Sequence, residues 1–506
     1  MARRIVVHGH FYQPPRENPW TGRIEEQPDA APFHDWNERV HAESYRPNAF
    51  ATLPGENGDR VVNNFEKLSF NIGPTLLLWM AEADPETYAR IIDADRRSRE
   101  RLGHGNALAQ AYHHTILPLG NLRDLRTQVR WGLADFRHRF GRAAEGMWLP
   151  ETAANSDTLG VLIEEGVGFT ILAPGQAGRW RELDSDRWLD VSEAGLETRV
   201  PYRYFHRDGS GRSLAVFFYD GDISQAIAFE RAGADADKFV DLFDQRSESD
   251  DQLVHAATDG ETYGHHHPFS ELGLAYALFV LAEQRGLEVT NYARFLEDSP
   301  PRHEVRIVRG AGTSWSCAHG VRRWHQDCGC STGGEPGWNQ AWRAPLRRGL
   351  EMLAGAADEV FGRAGAAVFH DPWRARDGYV DVVIEARELE EFVRSEASGP
   401  VDPNALQIAH QLLELQRNAM SMFTSCGWFF SDVAGIESAQ VLHYAARTAD
   451  LMEQLGYQPP EDEVLRVLGE ARSNRGDATA ADIYSEIRER PTQTSPVQRR
   501  MSTPRV

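Results

Sequence analysis

Residues 146–151 read Gly-Met-Trp-Leu-Pro-Glu, an apolar run that delivers the carboxylate of Glu151 at its end. Short apolar, β-branched or aromatic runs of the same kind recur before residue 300, at 5–8, 68–72, 107–111, 168–172, 214–219 and 253–257. Several are followed by turn residues and then by helix-like segments, among them 75–89, 122–140 and 158–165. This alternation is typical of parallel βαβ units and predicts an α/β fold, a (β/α) barrel of about seven strands.

Polar side chains stand at the carboxyl ends of these predicted strands. His8 and His10 follow the first strand, Glu151 follows the fourth, and Asp259 follows the last. Barrel enzymes build their active sites at that end of the strands. Two carboxylates from different strands are what glycoside hydrolysis requires, since one protonates the leaving oxygen while the other attacks or activates water. Taken singly, Glu151 is better explained as a helix N-terminal residue, and Asp259 as the start of a common Asp-Gly turn.

The first predicted strand opens into a distinctive motif, because residues 8–15 read His-Gly-His-Phe-Tyr-Gln-Pro-Pro. The alternate imidazoles and the amide of Gln13 can hold sugar hydroxyls. Two alternate histidines also suit a metal ion, and a polar strand end before a proline turn is the plain alternative. The consecutive histidines at 265–267 cannot all aim at one ion, so a solvated loop is expected there.

The second half of the chain differs in pattern from the first. Residues 297–302 read Glu-Asp-Ser-Pro-Pro-Arg, which is typical of a linker. Beyond them the apolar periodicity is mostly helical, as at 339–357 and 405–422. The last residues are rich in Arg, Thr, Ser, Pro and Gln and have almost no apolar side chains to offset their ordering entropy. We therefore expect a barrel domain at 1–300, a mostly α-helical module at 301–487 and a disordered tail at 488–506.

Cysteine, histidine and tryptophan are dense just after the linker. Cys317, His319, Cys328 and Cys330 supply the four soft ligands of a tetrahedral zinc site, although Cys-x-Cys is tighter than the usual Cys-x-x-Cys knuckle. A reduced loop beside the substrate and a redox pair are the alternatives. We expect reduced thiols and no metal, because the neighbouring tryptophans and glycines suit a close-packed wall against sugar rings.

The charge, apolar content and cysteine number of the chain indicate which binding partners and which cellular location to expect. The 506 residues carry a formal net charge of −21, whereas binding of nucleic acid needs clustered Lys and Arg, so no nucleic-acid partner is expected. The N-terminus lacks the apolar core of a signal peptide, and no run of about 18 uncharged apolar residues indicates a membrane span. The chain has four cysteines, which favours a reduced, cytoplasmic location.

Four segments, in order along the chain, resemble the motifs of glycoside hydrolase family 57. They are residues 8–14, with an insertion before Gln13, and residues 103–106, 148–151 and 259–261. The resemblance implies an incomplete seven-stranded (β/α) barrel with a helical module that completes the active-site wall. It also implies Glu151 as the nucleophile, Asp259 as the general acid/base, and no cofactor.

The resemblance also suggests which residues contact the substrate. The expected substrate-binding residues are His8, His10, Gln13, His104, Trp148, Trp315 and Trp428. The segments 314–320 and 423–430 resemble an uncharacterised C-terminal domain that follows this barrel in a bacterial subset of the family. The family's activities then suggest retaining hydrolysis or transglycosylation of an oligo- or polysaccharide, with α-glucans as the expected class.

Two other functions fit parts of the pattern. A metal-dependent polysaccharide deacetylase would use His8, His10 and an aspartate around zinc, but a paired Asp-Asp strand end with a following His-x-x-x-His is not found. A catalytically silent carbohydrate-binding protein would keep the barrel without its acids. The presence of both Glu151 and Asp259 speaks against that alternative.

Overall fold

The fold was analysed in a computed structural model that describes residues 3–55, 58–249 and 251–489. The chain divides into two compact units, and neither is a continuous stretch. The first unit takes residues up to 13 together with 27–112 and 136–316. The second takes 14–26, 113–135 and the chain from 317 onward. These bounds differ from the predicted division at residue 300, because two earlier segments belong to the second unit.

All strands belong to the first unit as the structure describes it. In chain order they are β1 Arg3–Phe11, β2 Ala51–Leu53, β3 Arg60–Val62, β4 Ser69–Ile72, β5 Ala109–Gln110, β6 Met147–Trp148, β7 Phe169–Leu172, β8 Ala177–Glu182, β9 Leu189–Asp190, β10 Tyr202–Phe205, β11 Ser213–Phe218, β12 Leu253–Asp259, β13 Leu287–Val289 and β14 His303–Ile307.

Helices are found in both units. In chain order they are α1 Trp36–Val40, α2 Arg46–Ala49, α3 Pro74–Ala83, α4 Pro85–Leu102, α5 Leu122–Phe140, α6 Ser156–Glu164, α7 Val191–Ala194, α8 Gly221–Phe229, α9 Ala236–Asp244, α10 Ser270–Tyr276, α11 Ala282–Gln284, α12 Tyr292–Asp298, α13 Arg343–Val368, α14 Pro372–Gly378, α15 Val380–Val383, α16 Leu389–Glu396, α17 Pro403–Ser421, α18 Cys426–Phe429, α19 Ile436–Gln454, α20 Glu461–Leu468 and α21 Ala480–Glu489.

The strands predicted from the sequence form a parallel series in the first unit. β1 lies between β12 and β4, and it pairs with both in parallel. Parallel bridges join Phe70 to Ala107 and Gly146 to Phe169, while β5 pairs with β6 and β7 with β11. The backbone N–H of Asp220, after β11, donates to the carbonyl of His255 in β12 at 2.8 Å. All the predicted runs are therefore strands, and their order is that of an α/β barrel.

The burial of these strands explains why their sequences are apolar. β1 is buried from Ile5 onward and β12 from Leu253 to Thr258, as expected for parallel strands that are covered on both faces. β5 has two residues only, in keeping with the weak strand propensity of Ala and Gln. The core that these strands share with α12 consists mainly of Val6, Leu108, Trp148, Phe169, Ile171, Phe217, Leu253, Tyr292 and Phe295.

An additional set of strands extends the sheet beyond β11. β10 pairs antiparallel with β11 and parallel with β14, and β14 pairs antiparallel with β8. This extension keeps the chain in the first unit past residue 300. Its strands were not predicted, because β8 carries alternate arginines and is half-exposed, so it lacks the apolar run on which the prediction depended.

The predicted helices are present with shifted bounds. The segment 75–89 is two helices, α3 and α4, since Pro85 begins a new helix and the side chain of Asp84 caps it by accepting from the backbone N–H of Thr87 at 3.1 Å. α5 has the predicted bounds. In the second unit, α13 and α17 contain most of the predicted helices 339–357 and 405–422.

The second unit is helical, as predicted, and it includes the two early segments through specific contacts. The indole Nε1 of Trp20 donates to Asp450 at 2.6 Å, and that of Trp131 donates to the carbonyl of Arg376 at 3.2 Å. Arg488 and Glu489 end α21, so the predicted tail begins later than residue 488. The remainder of that tail, 490–506, lies outside the described residues.

Among the residues that the structure describes, no helix combines the length and the apolar character that crossing a bilayer demands.

Candidate active site at the carboxyl ends of the strands

Glu151 lies in a strained turn directly after β6. Its φ is 58° and that of Thr152 is 49°, so two successive non-glycine residues adopt the left-handed region. Each such residue costs on the order of 1 to 3 kcal/mol, and such conformations persist only where the surroundings hold them, mostly at functional sites. The turn therefore marks Glu151 as more than a helix N-terminal residue.

Two neighbours hold this turn in place. The side chain of Gln176 accepts a hydrogen bond from the Thr152 hydroxyl and donates one to the Thr152 carbonyl, both at 2.8 Å. The backbones of Ala154 and Thr313 exchange two hydrogen bonds of 3.0 Å. A segment of the chain some 160 residues downstream is thus fixed beside the turn.

The same downstream segment holds the carboxylate of Glu151. Trp315 donates from its indole Nε1 to Glu151 Oε2 at 2.9 Å, and the hydroxyl of Ser316 donates to the same oxygen. The backbone N–H of Trp315 also donates to the carbonyl of Glu151 at 3.0 Å. Hydrogen bonds to a carboxylate favour its charged form. The turn and these donors fix the direction in which Glu151 points.

Asp259 ends β12, directly opposite His10 of β1 in the strand register. Its side chain reaches solvent. The surrounding protein nevertheless removes much of the water around the carboxyl group, and this desolvation is the largest of the effects that raise the pKa of Asp259 well above its usual range. The nearby charges of Glu261 and then Glu151 raise it further. The strand ends thus bring together one acid that accepts from two donors and one acid whose pKa is raised.

Glu261 is a third acid, which the sequence placed in the Asp-Gly-Glu motif without a role. Its side chain is buried, and its Oε1 accepts from the backbone N–H of Tyr12 at 2.9 Å and from the hydroxyl of Tyr45 at 2.5 Å. Burial raises the pKa of Glu261 to about 7 despite these two donors. Its charge therefore changes near neutral pH, close to Asp259.

His8 and His10 belong to a buried network that gives each ring a defined tautomer. The Nε2 of His8 lies 3.1 Å from Asn71 Oδ1, and the Nδ2 of Asn71 lies 2.8 Å from His10 Nδ1 and 2.6 Å from Gln110 Oε1. Because Asn71 donates from Nδ2, His10 accepts at Nδ1 and carries its proton on Nε2. Burial lowers the pKa of both histidines to about 3, so both are neutral.

The indole ring of Trp148 packs against both of these imidazoles. Its ring stacks on His8 and His10 with centroid distances of 4.7 and 5.2 Å, and its side chain is fully buried. Trp148 and His8 are completely buried and have no face left for a sugar, so they are supports for the site, whereas 4% of the surface of His10 is exposed. Trp315, by contrast, is half-buried and packs edge-on against Trp148 at 5.2 Å. It remains a candidate for contact with substrate.

The other predicted substrate-binding residues are placed differently. Gln13 donates from Nε2 to the carbonyl of its neighbour Tyr12 at 3.1 Å. His104 precedes β5 and pairs with Glu145, which precedes β6, so it lies at the amino ends of the strands, away from Glu151 and Asp259. The structure does not bring His104 to the candidate site.

Trp428 belongs to the second unit and has a packing role there. It is fully buried, its Nε1 donates to the carbonyl of Arg343 at 3.2 Å, and its ring is nearly parallel to that of Phe423. With no exposed face, Trp428 is a core residue of the helical unit.

Asn71 and Gln110 were missed by the sequence analysis, although a signal was present. Each is a polar residue inside a predicted strand, at 68–72 and 107–111, where a buried amide needs partners. The metal alternative for His8 and His10 also loses support. In the part of the chain that the structure describes, neither histidine belongs to a group of three or more metal-ligating side chains.

Replacing Glu261 with glutamine is expected to flatten the dependence of stability on pH. In the wild type the folded state holds a proton up to about pH 7, whereas the unfolded chain releases it near 4.5. The free energy of unfolding therefore falls as pH rises through this window, by up to about 3 kcal/mol from this residue. Urea unfolding at pH 5 and pH 8 measures the fall, and the variant should lack the part that Glu261 contributes.

The matched control for this prediction is Glu193→Gln, which changes an exposed glutamate in α7. It should leave the difference between the two pH values unchanged. Equal pH dependence in wild type and Glu261→Gln would show that Glu261 is ionised in the folded protein throughout this range.

Comparisons with known proteins agree with the fold and the motifs. A family model described as glycosyl hydrolase family 57 matches residues 32–308, and one described as a domain of unknown function, DUF3536, matches residues 338–498. No curated protein matches the chain.

Solved structures with the same fold cover nearly the whole chain. The chain is similar to an exo-type maltose-forming amylase from Pyrococcus sp. ST04, with 17% identity over 96% of this chain and 83% of that one, and a TM-score of 0.65. It is similar to a branching enzyme from Pyrococcus horikoshii, with 15% identity, coverages of 97% and 94%, and a TM-score of 0.54.

A third solved structure is longer than this chain. It is a 4-alpha-glucanotransferase from Thermococcus litoralis, with 16% identity, coverages of 90% and 60%, and a TM-score of 0.53. At these identities the three likenesses establish the fold. The family model matches more than half of the 506 residues, and its match contains both strand-end acids, so the chain belongs to glycosyl hydrolase family 57.

Proposed function

We propose that this enzyme cleaves or transfers α-glucosyl units by double displacement, with Glu151 as nucleophile and Asp259 as general acid/base. The observation that carries the proposal is the contrast between the two strand-end acids. Glu151 accepts hydrogen bonds from Trp315 and Ser316, two donors that stabilise a carboxylate, whereas desolvation and the nearby charges of Glu261 and Glu151 raise the pKa of Asp259. Opposite protonation of two neighbouring acids is the arrangement that a retaining glycosidase uses.

In the first step, the Glu151 carboxylate attacks the anomeric carbon and forms a glycosyl ester, while the bond from that carbon to the leaving oxygen breaks. Asp259 gives its proton to the departing oxygen, which leaves as an alcohol. The hydrogen bonds from Trp315 and Ser316 orient the attacking carboxylate. The strained turn keeps this direction without adjustment during the reaction.

In the second step, Asp259 is a carboxylate and removes a proton from the incoming water or sugar hydroxyl. That oxygen attacks the anomeric carbon, the ester to Glu151 breaks, and Asp259 regains its proton. Two inversions leave the anomeric configuration unchanged. We expect the two carboxyl groups to lie about 5 to 5.5 Å apart, the separation of retaining enzymes.

His10 and Trp315 are the proposed sugar contacts nearest to the reacting atoms. His10 pairs in register with Asp259, and Asn71 fixes its neutral tautomer. Trp315 lies edge-on to His10 with a centroid distance of 6.1 Å, so its ring borders the same region. Aromatic rings of this kind suit the apolar faces of pyranoses.

The substrate class rests on the names of the similar structures. They are a maltose-forming amylase, a branching enzyme and a 4-alpha-glucanotransferase, and the first and last of these names refer to an α-glucan or its product. These names support an α-glucan substrate here, and they include both hydrolysis and transfer. The excess of acidic side chains is compatible with such a neutral polymer.

Product analysis tests the proposal directly. The protein is incubated with amylose, maltooligosaccharides and α-galactosides, and the products are separated by thin-layer chromatography. Shorter products alone indicate hydrolysis, and longer products as well indicate transfer. NMR of the first-formed product should show the α-anomer, and a β-anomer would contradict double displacement.

Glu151→Ala protein, purified in the same way, is the control for contaminating amylase. Cleavage restricted to α-galactosides would contradict the substrate class while leaving the mechanism intact. Binding of maltooligosaccharides without any turnover would instead identify the protein as a silent carbohydrate-binding member of the family.

A further inference from the structure

A loop of the second unit brings together the side chains of Cys317, His319, Cys328 and Cys330. The Sγ of Cys317 lies 3.8 Å from that of Cys328 and 3.7 Å from that of Cys330, and Cys330 Sγ lies 3.5 Å from His319 Nδ1. One donor atom from each of the four residues lies within 4.8 Å of all the others. Three sulfurs and one imidazole nitrogen thus converge on one point.

These separations are those of a tetrahedron around a single metal ion. Zinc binds sulfur at about 2.3 Å and nitrogen at about 2.0 to 2.1 Å, so ligands at tetrahedral angles are about 3.8 Å apart for two sulfurs and about 3.6 Å for sulfur and nitrogen. A disulfide requires sulfurs about 2.0 Å apart, and all four cysteines of the chain are free. The spacing therefore fits a shared metal and not a sulfur–sulfur bond.

The backbone of the loop is shaped to aim these side chains inward. Gly329, between Cys328 and Cys330, has a φ of 78°, a left-handed conformation in which glycine avoids the cost that a side chain would bring. The Cys-x-Cys spacing that counted against a metal in the sequence is accommodated by this glycine. On the other side, the N–H of Gly320 donates to the carbonyl of Cys317 at 3.1 Å and turns the chain after His319.

Buried charge and polar contacts secure the carboxyl-terminal side of the loop. Arg343, whose side chain is fully buried, donates from its guanidinium to the carbonyl of Cys330 at 2.7 Å. The hydroxyl of Ser431 donates to the carbonyl of Thr332 at 2.9 Å. The stretch between His319 and Cys328 is anchored by the buried side chains of Val321 and Trp324. A cross-link at the cysteines would join the two sides.

We propose that Cys317, His319, Cys328 and Cys330 bind one Zn²⁺ ion as a structural site. Four protein ligands fill the tetrahedral shell and leave no position for water or substrate, so the ion has no catalytic role. Three thiolates and an imidazole select zinc over hard cations such as magnesium and calcium. The site replaces the sequence-based expectation of reduced thiols without metal, and it is independent of the proposed glycosidase function.

Elemental analysis of the purified full-length chain tests the site. The protein is prepared without chelators and zinc, iron, nickel and copper are measured per chain. About one zinc per chain is expected in the wild type, and less than a tenth of that in Cys328→Ser. Cys426→Ser is the matched control, because it removes the one cysteine outside the cluster, and it should keep its zinc.

A second pair of variants keeps the test valid if Cys328→Ser does not fold. His319 is exposed, so its replacement disturbs little packing. His319→Ala should lose zinc, whereas His319→Cys, which restores a fourth soft ligand, should retain it. A chelator should lower the Tm of the wild type and of His319→Cys, and it should leave the Tm of His319→Ala unchanged.

Thiol titration under native conditions distinguishes the remaining alternatives. With zinc bound, Cys317, Cys328 and Cys330 should react slowly with a disulfide reagent, and a chelator should release all three thiols. Wild-type protein with less than a tenth of a zinc per chain after addition of Zn²⁺ would overturn the proposal. So would a disulfide among these cysteines in freshly purified protein, or stoichiometric iron in place of zinc.

Discussion

Glu151→Ala is expected to lower kcat/KM for a maltooligosaccharide by on the order of 10⁴-fold or more, because the variant has no group to form the glycosyl ester. The loss should appear in kcat, since the carboxylate acts on the anomeric carbon in the transition state. Steady-state kinetics with an activated aryl α-glucoside or maltoside provide the measurement. Circular dichroism and Tm establish whether the fold is retained.

A small anion should partly restore cleavage in this variant. Azide can enter the space that the carboxylate leaves and attack the anomeric carbon of an activated substrate, which would yield the β-glycosyl azide. Glu145→Ala is the matched control, because Glu145 precedes the same strand, β6, at its opposite end. It should keep activity within a few-fold of the wild type. Undiminished turnover in Glu151→Ala would remove Glu151 from the mechanism.

Asp259→Asn is expected to lower kcat/KM on natural glucans by roughly 10²- to 10⁴-fold, the usual contribution of a general acid. Asparagine keeps the size of the side chain but has no proton to give to the leaving oxygen. Substrates whose leaving group needs no proton, such as aryl glycosides with electron-poor rings, should lose less in their first step. Comparison of the two substrate types in the same variant separates an acid from a residue that only binds.

The pH profile provides an independent check on Asp259. Because its pKa is raised, Asp259 remains protonated below that pKa, and activity should fall as pH rises through it. The alkaline limb of the kcat/KM profile therefore belongs to this residue, and the limb should disappear in Asp259→Asn. An alkaline limb that persists in the variant would assign it to another group.

The sequence was sufficient for the strands of the barrel and for the positions of Glu151 and Asp259 at strand ends, because each of these acids closely follows an apolar run. Glu151 and Asp259 are recognisable once the runs 146–149 and 253–257 are identified as strands. The donors to Glu151 could not be derived in this way. Trp315 and Ser316 lie more than 160 residues downstream, and their contact depends on a backbone pairing at Thr313 that leaves no periodic signal.

The proposed zinc ligands show a second reason why the sequence alone was insufficient: the spacing of ligands along the chain does not determine where their side chains point. In standard finger motifs both ligands come from a common knuckle with Cys-x-x-Cys spacing, so Cys-x-Cys by itself argues against a metal. In this structure the left-handed conformation of Gly329 and the turn after His319 bring the four ligand side chains together. Backbone conformation at a single glycine is not encoded in ligand spacing, so the donor set could be identified from the sequence but its geometry could not.

The interleaving of the two units has a consequence for the order in which the protein can fold during synthesis. Residues 14–26 and 113–135 leave the ribosome early, but their partners, such as Asp450 for Trp20 and Arg376 for Trp131, are translated hundreds of residues later. At about 5 to 20 residues per second, these segments wait tens of seconds for their contacts. The first unit contains no residue beyond 316 and can close once that residue has emerged, whereas the helical unit closes only after nearly the whole chain has been made.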